Sequence, residues 1–533
     1  MTQAVGSTTL NFSKPLRIHL LGIGGAGMSA IAIVLDGLGH QVSGSDAMSS
    51  PVLDTLREAG IAVRVGHSNE LVDSVDLVGS STAIPPTNPE LLAYQASGVP
   101  CVGRFELLSA IGERADVLSL SGTHGKTTTS ALLTLMLQGT GEQPNCIVGA
   151  KVAGLGTGAL WTGGTWLVLE ADESDSTFLA PRRRGAVVTN LEPDHLDHHG
   201  SFEALRSSFV RFVNETEGPV LVCHDDEGAR GLIGECPNAL TYGFAGTDLS
   251  SEDSVPNGSV PNGFAGTDLS SEDSVPNGSV PNGSVPNGSV PNGSVPDYRI
   301  ERLEQSASGS RWDLIGPHGD RSKLQIAVPG LHLVRNASGA FALGVELGLD
   351  PVGLAAGLAE YRGVHRRFEH RAASHGVTFI DDYAHLPTEI AAVLQAAALP
   401  RVEGSPDGSW SRIVAVFQPH RYSRTQEHAR EFGSSFDQAD LMVFTDIYPA
   451  GEAPIEGVTG ELIAAAARDR YGSDAVLWCP KLDDVVEQVG GLLRPGDLCI
   501  TLGAGDLTNA VERIVLQYEH LADIEPATPR DAP

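Results

Sequence analysis

The sequence predicts an α/β protein with several domains, and three observations lead to that class. The chain has 533 residues, 41% of them hydrophobic, which is too long for one core and predicts two to four domains. Short apolar strands alternate with Ala-rich helical stretches along the chain. Two glycine-rich turns each stand between a strand and a helix, an arrangement that opens a βαβ unit of a doubly wound sheet.

The first unit begins with the strand LRIHLLG, followed by the helix MSAIAIVLDGLG and the strand QVSGSD. The turn between strand and helix contains Gly22, Gly24, Gly25 and Gly27 and fits the pattern G-x-G-x-x-G. Asp46 ends the second strand, near the place where an acid would meet a ribose. The pattern predicts a pyrophosphate at a helix N-terminus without identifying the nucleotide, and a tight turn with no ligand is the alternative.

The second unit begins with VLSLSG, which leads into GTHGKT at residues 122–127 and the helix TTTSALLTLML. A phosphate-binding loop usually has a glycine five positions before Gly125, where this chain has Leu120, so the loop is shortened or altered. Its backbone N–H groups, the charge of Lys126 and the hydroxyl of Thr127 suit phosphate and Mg²⁺. A lysine with no ligand is unfavourable at that end of a helix dipole. An ATP-driven ligase with a nucleotide-linked substrate explains two phosphate sites, whereas a dehydrogenase explains one.

The later strands TWLVLEA, GAVVTN, RIVAVF, LMVFTD and DLCITLG continue the α/β pattern, but one segment interrupts it. FAGTDLSSEDSVPNGSVPNG at residues 244–263 recurs at residues 264–283, and SVPNG units follow up to Pro296. This composition offers almost no apolar side chain to bury, so we expect a disordered surface insertion at about 245–297 within a folded domain. A partner-binding repeat is the alternative, with valine as its only candidate anchor.

Charge and cysteine usage exclude several classes of protein. The formal net charge of −31 disfavours nonspecific binding to nucleic acid. The six cysteines are scattered without a C-x-x-C pair, and the first residues have no apolar segment like that of a signal peptide. No run of about 18 apolar residues predicts a membrane span. We therefore expect a cytoplasmic protein that does not bind nucleic acid and does not span a membrane.

Several motifs together resemble the Mur ligase family. GTHGKTTT resembles its shortened phosphate loop, and LLGIGGAGMSAIA, EADESDSTFL, TNLEPDHLDHHG, RRFE, DDYAHLPTE, FQPHRYSRT and GAGDLT follow in family order. The resemblance covers nearly the whole chain except its two ends and the repeat. It implies a Rossmann-like UDP-sugar-binding domain at 1–113, a central P-loop ATPase-like domain at 114–364 that contains the insertion, and a Rossmann-like amino-acid-binding domain at 365–533.

The resemblance also implies a reaction and its substrates. ATP would phosphorylate the lactyl carboxylate of UDP-N-acetylmuramate with the help of Mg²⁺, and L-alanine would attack the acyl phosphate to give an amide, ADP and phosphate. One rival within the family attaches a recycled tripeptide to the same UDP sugar. A rival from another class is a nucleotide-binding regulator without catalysis. We expect a monomer or a weak homodimer.

Site residues follow from the same motif matches. The catalytic set comprises Lys126, Glu173, His195 and Arg367, and the metal set comprises Thr127, Glu173 and His195. Because Mg²⁺ prefers oxygen ligands, the residues alone favour Asp194 over His195. The resemblance implies that ATP contacts Gly122, Thr123, His124, Gly125, Lys126, Thr127, Thr128, His332, Asn336, Arg367 and Asp382.

The remaining matches concern the two substrates to be joined. The UDP-sugar set comprises Gly22, Gly24, Gly25, Gly27, Asp46, His67, Ser81 and Arg104, and the amino-acid set comprises Tyr383, His385, His420, Arg421 and Arg424. An arginine suits a carboxylate because its two parallel N–H groups match the two oxygens. Asp381 is a rival to Asp382. Leu333 and Leu386 occupy positions where family members often have Asn and His.

Overall fold

Three separate β-sheets organise the chain. The computed structural model describes residues 10–70, 75–194, 196–245, 295–306, 309–399 and 410–524. Most of the predicted insertion and the predicted metal ligand His195 lie outside the described residues. Each sheet has helices packed against it, so the predicted α/β class with three sheet-containing domains is confirmed.

The first sheet has five parallel strands in the order β3-β2-β1-β4-β5. Its strands are β1 (Arg17–Leu21), β2 (Gln41–Asp46), β3 (Ala62–Val65), β4 (Leu77–Ser80) and β5 (Cys101–Gly103), and its helices are α1 (Ala26–Gly37), α2 (Pro51–Glu58), α3 (Pro89–Ser97) and α4 (Arg104–Gly112). The chain runs from β1 to β2 and β3 on one side of β1 and then crosses to β4 and β5 on the other side, which makes a topological switch point. Ligands of such sheets bind outside the carboxyl ends of the strands at that point.

The second sheet has ten strands in the order β15-β14-β13-β12-β11-β10-β6-β9-β7-β8. Its strands are β6 (Asp116–Ser121), β7 (Asn145–Ile147), β8 (Ala159–Leu160), β9 (Trp166–Glu170), β10 (Arg183–Val188), β11 (Val220–Cys223), β12 (Leu240–Phe244), β13 (Tyr298–Ser306), β14 (Gly309–Ile315) and β15 (Arg321–Ile326). Its helices are α5 (Lys126–Gly139), α6 (Leu196–His199), α7 (Phe202–Asn214), α8 (Glu227–Arg230), α9 (Leu331–Glu346) and α10 (Pro351–Ala359). Strand β6 leads directly into α5 and so places the phosphate loop at the middle of the sheet.

Helix α5 is buried on every side from Thr127 to Leu137. It packs against α9 and α10, and the contact with α10 depends on glycine. A Cβ atom at Gly357 would lie 2.1 Å from the carbonyl oxygen of Leu135, and one at Gly139 would lie 2.2 Å from that of Gly353. The close approach of these helices fixes the direction in which the N-terminus of α5 points.

The predicted insertion joins two neighbouring parallel strands. Tyr242 of β12 pairs with Tyr298 of β13 in a parallel register. The carboxylate of Asp297 accepts hydrogen bonds from the backbone N–H and the hydroxyl of Thr241, both at 2.7 Å. Because parallel neighbours run in the same direction, the connection between Phe244 and Asp297 has to return along the length of a strand.

The third sheet has six strands in the order β16-β17-β21-β18-β19-β20. Its strands are β16 (Glu369–Ser374), β17 (Val377–Asp382), β18 (Arg412–Phe417), β19 (Leu441–Phe444), β20 (Val476–Trp478) and β21 (Asp497–Leu502), and its helices are α11 (Pro387–Ala398), α12 (Tyr422–Gly433), α13 (Glu461–Tyr471), α14 (Leu482–Leu492) and α15 (Val511–Ile524). Both faces of the sheet are covered by apolar clusters, one around Phe417 and one around Val414. This explains why the central strands read as unbroken apolar runs.

No described helix combines the length and the apolar character needed to cross a bilayer.

Candidate active site

The phosphate loop is built from two glycines that no other residue can replace without strain. Gly122 has a φ of 139° and Gly125 a φ of 78°, both in the range that favours glycine. A Cβ atom at Gly122 would lie 2.1 Å from the hydroxyl oxygen of Thr189, and one at Gly125 would lie 2.8 Å from the side-chain nitrogen of Asn336. The shortened loop is therefore packed tightly between β10 and α9, and Asn336 of the predicted ATP set lies beside it.

His124 is held in this loop through its backbone. Its N–H donates to the side-chain oxygen of Asn190 at 2.7 Å, and its carbonyl oxygen accepts from the hydroxyl of Thr189 at 2.6 Å. The N-terminus of α5 follows immediately, so the free N–H groups and the helix dipole face the same point. This is the arrangement that binds a phosphate group.

Lys126 lies at the base of the loop with its ammonium group surrounded by oxygens. Its Nζ donates to the carbonyl oxygens of Gly122 at 2.8 Å and Thr123 at 3.2 Å, and to both carboxylate oxygens of Glu173 at 2.9 Å. Burial alone would lower the pKa of Lys126, but the carboxylates of Glu173 and Asp172 outweigh it and raise that pKa. The ammonium group therefore remains charged where phosphate charge has to be neutralised.

The acid beside Thr127 is Glu170, which the sequence analysis did not select. Its Oε1 accepts a hydrogen bond from the hydroxyl of Thr127 at 2.8 Å, whereas the predicted ligand Glu173 is only 1% exposed and faces Lys126. Leu120 pairs with Glu170 in the parallel ladder between β6 and β9, so this carboxylate lies at the strand end next to the loop. Glu170 is the last residue of β9, and this place at the end of an apolar strand is the signal by which the sequence could have indicated it. The described residues contain no group of three or more His, Cys, Asp or Glu side chains suited to hold a metal ion.

A first cavity lies between α9 and α11, next to the phosphate loop. It is lined by residues of the predicted ATP set, namely His124, Gly125, Thr128, His332, Asn336, Arg367 and Asp382. Leu333 also lines it, and Asp225 and Arg335 form an ion pair of 2.8 Å in its wall. The structure therefore brings together loop, α9 and β17 residues that are more than 200 positions apart in the sequence.

His332 and Asp382 are among the groups in the first cavity whose pKa values are shifted. Burial, helped by the positive charges of Arg335 and Arg367, lowers the pKa of His332 to about 4, which leaves its ring neutral near pH 7. Burial also raises the pKa of Asp382 to about 6, although Arg367 opposes the shift. Its rival Asp381 does not line the cavity but accepts hydrogen bonds from the hydroxyls of Thr501 and Thr508.

A second cavity, here called the central cleft, adjoins the first and receives side chains from all three sheets. The predicted site residues that line it are Gly27, Arg104, Thr123, His124, Gly125, Lys126, Thr127, Arg367, Tyr383, His385, His420, Arg421 and Arg424. His124, Gly125, Arg367 and Glu389 line both cavities. A group bound in the first cavity can therefore reach a group bound in the central cleft past these four residues.

The rest of the predicted UDP-sugar set does not line the central cleft but lies at the carboxyl edge of the first sheet. Gly22 follows β1 with a φ of 74°, and Ser81 follows β4 with its Cβ 3.0 Å from a Cβ built at Gly22. The carboxylate of Asp46 accepts from the N–H of Gly24 at 2.9 Å. The Nδ1 of His67 contacts the carboxylate of Glu90 at 2.9 Å, and Glu90 is fully buried.

The central and third sheets are joined across the cleft by charged contacts. The Nε2 of His124 lies 3.2 Å from the carboxylate of Glu192, and its Nδ1 lies 3.2 Å from that of Glu389 on α11. The hydroxyl of Thr388 donates to Glu192 at 3.1 Å. Burial would lower the pKa of His124, but Glu389 and Glu192 raise it to about 9. A charged imidazole thus connects the phosphate loop to the third sheet.

The amino-acid set forms the far wall of the cleft. The ring of His420 stacks on Tyr448 with the two ring centres 5.7 Å apart. Burial, together with the charges of His385 and Arg424, lowers the pKa of His420 to about 3, so its ring is neutral near pH 7. Arg424 is 8% exposed and donates through Nη2 to Asp194 at 2.8 and 3.1 Å. The cleft wall therefore presents guanidinium groups suited to a carboxylate.

Comparison with protein families gives three matches in consecutive parts of the chain. Residues 17–115 match the Mur ligase family, catalytic domain; residues 120–260 match the Mur ligase middle domain; and residues 366–505 match the Mur ligase, glutamate ligase domain. The order of the three matches is that of the three sheets. The predicted resemblance is confirmed.

Curated relatives are similar over nearly their whole length. The chain is 38% identical over 501 residues to the UDP-N-acetylmuramate–L-alanine ligase of Bradyrhizobium sp. (strain ORS 278), covering 92% of this chain and 95% of the relative. It is 38% identical over 504 residues to the enzyme of the same name from Thermobifida fusca, covering 94% and 96%.

Solved structures of several ligases align with this chain over most of its length. The UDP-N-acetylmuramate-alanine ligase of Thermotoga maritima aligns with a TM-score of 0.72 at 25% identity, covering 95% of this chain and 100% of that one. A murein peptide ligase from Psychrobacter arcticus aligns with a TM-score of 0.63 at 21% identity, covering 95% and 99%. A MurF ligase from Thermotoga maritima, solved with ADP, shares the fold at 14% identity with a TM-score of 0.54, covering 91% and 95%.

Proposed function

The chain belongs to the Mur ligase family, and from this membership we propose that it joins L-alanine to the lactyl carboxylate of UDP-N-acetylmuramate at the expense of ATP. The reaction is a step of peptidoglycan precursor synthesis, which supports cell wall formation, cell shape and division. The observation that carries the proposal is the central cleft, in which a phosphate loop, a first-sheet arginine and a third-sheet cluster of arginines and histidines face one space. A hydrolase or a binding protein has no need of all three.

The proposed chemistry has two steps. A carboxylate oxygen of the UDP sugar attacks the γ-phosphorus of ATP, the bond to the β–γ bridging oxygen breaks, and ADP leaves. The amine of alanine then attacks the carbonyl carbon of the acyl phosphate, phosphate leaves with the attacking oxygen, and the amine loses a proton. Lys126 and Arg367 lie where they can spread positive charge around the transferring group.

The ATP assignment rests on the first cavity. Asn336 at the loop, neutral His332 on α9 and Asp382 at the end of β17 line this space, and Lys126 lines the adjoining central cleft. We assign to ATP the loop residues 122–128 together with His332, Asn336, Arg367 and Asp382. The interdomain contacts of His124 close this space on the side of the third sheet and would exclude water from an acyl phosphate.

A magnesium ion fits the oxygen groups beside the loop. The hydroxyl of Thr127 and the carboxylate of Glu170 offer the hard ligands that Mg²⁺ prefers, and Glu170 lines the central cleft. When bound, the ion would offset the negative charge of the phosphates. We propose Thr127 and Glu170 as its protein ligands. Glu173, which holds Lys126, and His195 remain predicted ligands.

The substrates to be joined are assigned to opposite walls. We place the UDP sugar on Gly22, Gly24, Gly25, Gly27, Asp46, His67, Ser81 and Arg104, because the switch point of the first sheet and Arg104 lie on one path to the cleft. We place the carboxylate of alanine near Arg421 and Arg424, with Tyr383, His385 and His420 around it. Arg104 contacts Asp175 at 3.2 Å, which ties this path to the central sheet.

The wider setting follows from the same chemistry. We propose domains at 1–113, 114–364 and 365–533, because the second sheet begins with β6 and the third with β16. ATP and nucleotide-linked sugars are cytoplasmic metabolites and all six cysteines are free thiols, so we place the protein in the cytoplasm. We propose a monomer or a weak homodimer.

The proposed function is tested by measuring ADP release from the full chain with ATP, Mg²⁺ and UDP-N-acetylmuramate and with a panel of amino acids and the tripeptide L-Ala-γ-D-Glu-meso-diaminopimelate. We expect release that depends on both the UDP sugar and alanine, with little release for the tripeptide. Release with the tripeptide alone would replace alanine by a peptide substrate. ATP binding without any substrate-dependent release would contradict ligase activity.

A further inference from the structure

An ion pair connects the loop after β10 to the first turn of α12. Asp194 lies four residues beyond Asn190, and Arg424 is the third residue of α12. Nη2 of the guanidinium lies 2.8 Å from one carboxylate oxygen and 3.1 Å from the other. Both side chains are largely buried, with 13% of Asp194 and 8% of Arg424 exposed. The two residues are 230 positions apart and belong to different sheets.

The other terminal nitrogen of the same guanidinium, Nη1, does not take part in this ion pair. Nη1 of Arg424 is buried and finds no hydrogen-bond partner among the described residues, and Arg424 lines the central cleft. The Nδ1 of His420, which lines the same wall, also lacks a partner within that part of the chain. A buried polar group without a partner is costly, and a ligand is one way to satisfy it.

The geometry of arginine links the two ends. The guanidinium is planar and rigid, so a contact that fixes Nη2 also fixes the direction of Nη1. Arg424 stands on a long flexible side chain whose rotamers would otherwise be free, and ordering such a side chain on binding reduces affinity. A carboxylate that orders it beforehand increases affinity for whatever Nη1 contacts.

We propose that Asp194 is a positioning residue for the amino-acid substrate: it holds Arg424 so that Nη1 faces the carboxylate of the incoming amino acid. This rests on the proposed function, because that function places the amino acid in the central cleft. Since Asp194 belongs to the central sheet and Arg424 to the third sheet, the amino-acid site is complete only when the two sheets are in contact. Domain closure and amino-acid affinity are thereby coupled.

Glu192 provides a matched control two residues away. It lies in the same loop and carries the same charge, but its carboxylate contacts His124 and Thr388 and not Arg424. Glu192→Gln therefore removes an interdomain contact that touches the phosphate loop. It separates a general loosening of the interface from an effect transmitted through Arg424.

The experiment compares the full-length wild type with Asp194→Asn, Arg424→Ala, the double variant and Glu192→Gln. KM for alanine, KM for ATP and the Mg²⁺ concentration for half activity are measured in the ADP-release assay. Asp194→Asn should raise KM for alanine about tenfold, the loss of one well-placed charged hydrogen bond, and change the other two values by less than about twofold. If the amide side chain of Asp194→Asn impairs folding, Asp194→Ser is measured in its place, and we expect the same pattern.

The double variant tests whether Asp194 acts through Arg424. We expect its KM for alanine to be no higher than that of Arg424→Ala, because Asp194 has nothing left to position. Glu192→Gln should change KM for ATP more than KM for alanine. An unchanged KM for alanine in Asp194→Asn, equal rises for alanine and ATP, or additive effects in the double variant would each overturn the proposal. Absence of alanine-dependent release in the wild type would instead contradict the proposed function, and the same comparison would then use the active amino acid from the panel.

Discussion

His124 lies where the first cavity and the central cleft meet, and its imidazole bridges two carboxylates from different parts of the fold. One is Glu192 of the central sheet and the other is Glu389 of α11, which also contacts His385 at 3.1 Å and Arg367 at 3.7 Å. A charged ring attracts both carboxylates, whereas a neutral ring carries no net charge and has one N–H group. The charge of this single side chain therefore contributes to holding the interface together.

Protonation of His124 makes the stability of the interface depend on pH. Its pKa is about 9 in the folded chain against 6.5 for a free histidine. Because the folded value is the higher one, the stabilisation is complete below pH 6.5 and is lost as the pH rises to about 9, at up to about 1.4 kcal/mol per pH unit. His124→Gln should therefore lower the urea midpoint strongly at pH 6.5 and hardly at all at pH 9.

The matched control for this measurement is His318→Gln, a change at an exposed histidine in the turn between β14 and β15. Its urea midpoint should differ from the wild type by an amount that does not vary over the same range. A destabilisation by His124→Gln that stays constant from pH 6.5 to 9 would show that the imidazole is neutral in the folded chain.

Where a motif defines both chemistry and position, the sequence predicts single site residues, and their roles stay predictions. It placed Lys126 at a phosphate loop, and it preferred Asp382 to Asp381, of which only Asp382 lines the first cavity. It selected Glu173 by the motif match, which stays a prediction, and the acidic run alone does not show that Glu170 lies beside Thr127. The pairing of Leu120 with Glu170 places Glu170 next to the loop, and the pairing between two strands cannot be inferred from the sequence of one of them.

The pairing of strand β13 with β12 is a feature of the fold that the sequence does not predict. The SVPNG composition predicts a segment without a core, but the composition does not reveal that the flanking strands are parallel neighbours. It also does not reveal that Asp297, at the predicted end of the insertion, accepts two hydrogen bonds from Thr241. Parallel pairing imposes a crossover of a dozen or more residues, whereas a tight turn suits only antiparallel neighbours.

The length of the replacement should decide whether the insertion can be removed. Replacing residues 246–294 by about 12 Gly and Ser residues should preserve the ligase rate within about twofold, because a flexible surface loop adds little closure entropy. Joining Ala245 directly to Val295 leaves three residues between Phe244 and Asp297, which span at most roughly 10 Å, so this variant should give insoluble or inactive protein. The two variants are compared by ADP release and thermal unfolding. Loss of activity with the long linker would show that the repeat contributes to the fold or to catalysis.

For the whole molecule, composition predicted two to four domains and the family resemblance predicted three α/β domains in this order, but neither predicted their junctions. Alternating strands and helices identify each α/β unit because the apolar pattern is local. The contacts that assemble the central cleft join residues 230 positions apart, as in Asp194 and Arg424, or 264 apart, as in His124 and Thr388. Such pairs depend on how the domains dock, and no local pattern encodes that arrangement.

The proposed ligation takes place in one closed cleft, which transfers phosphate to a substrate carboxylate and then exchanges it for an amine. It is tested most directly with UDP-N-acetylmuramate carrying ¹⁸O at both oxygens of the lactyl carboxylate, incubated with the full chain, ATP, Mg²⁺ and alanine. If an acyl phosphate forms, the attacking oxygen leaves with phosphorus, so each amide formed should release one phosphate carrying one ¹⁸O, read by mass spectrometry. Unlabelled phosphate released alongside the amide would contradict the account.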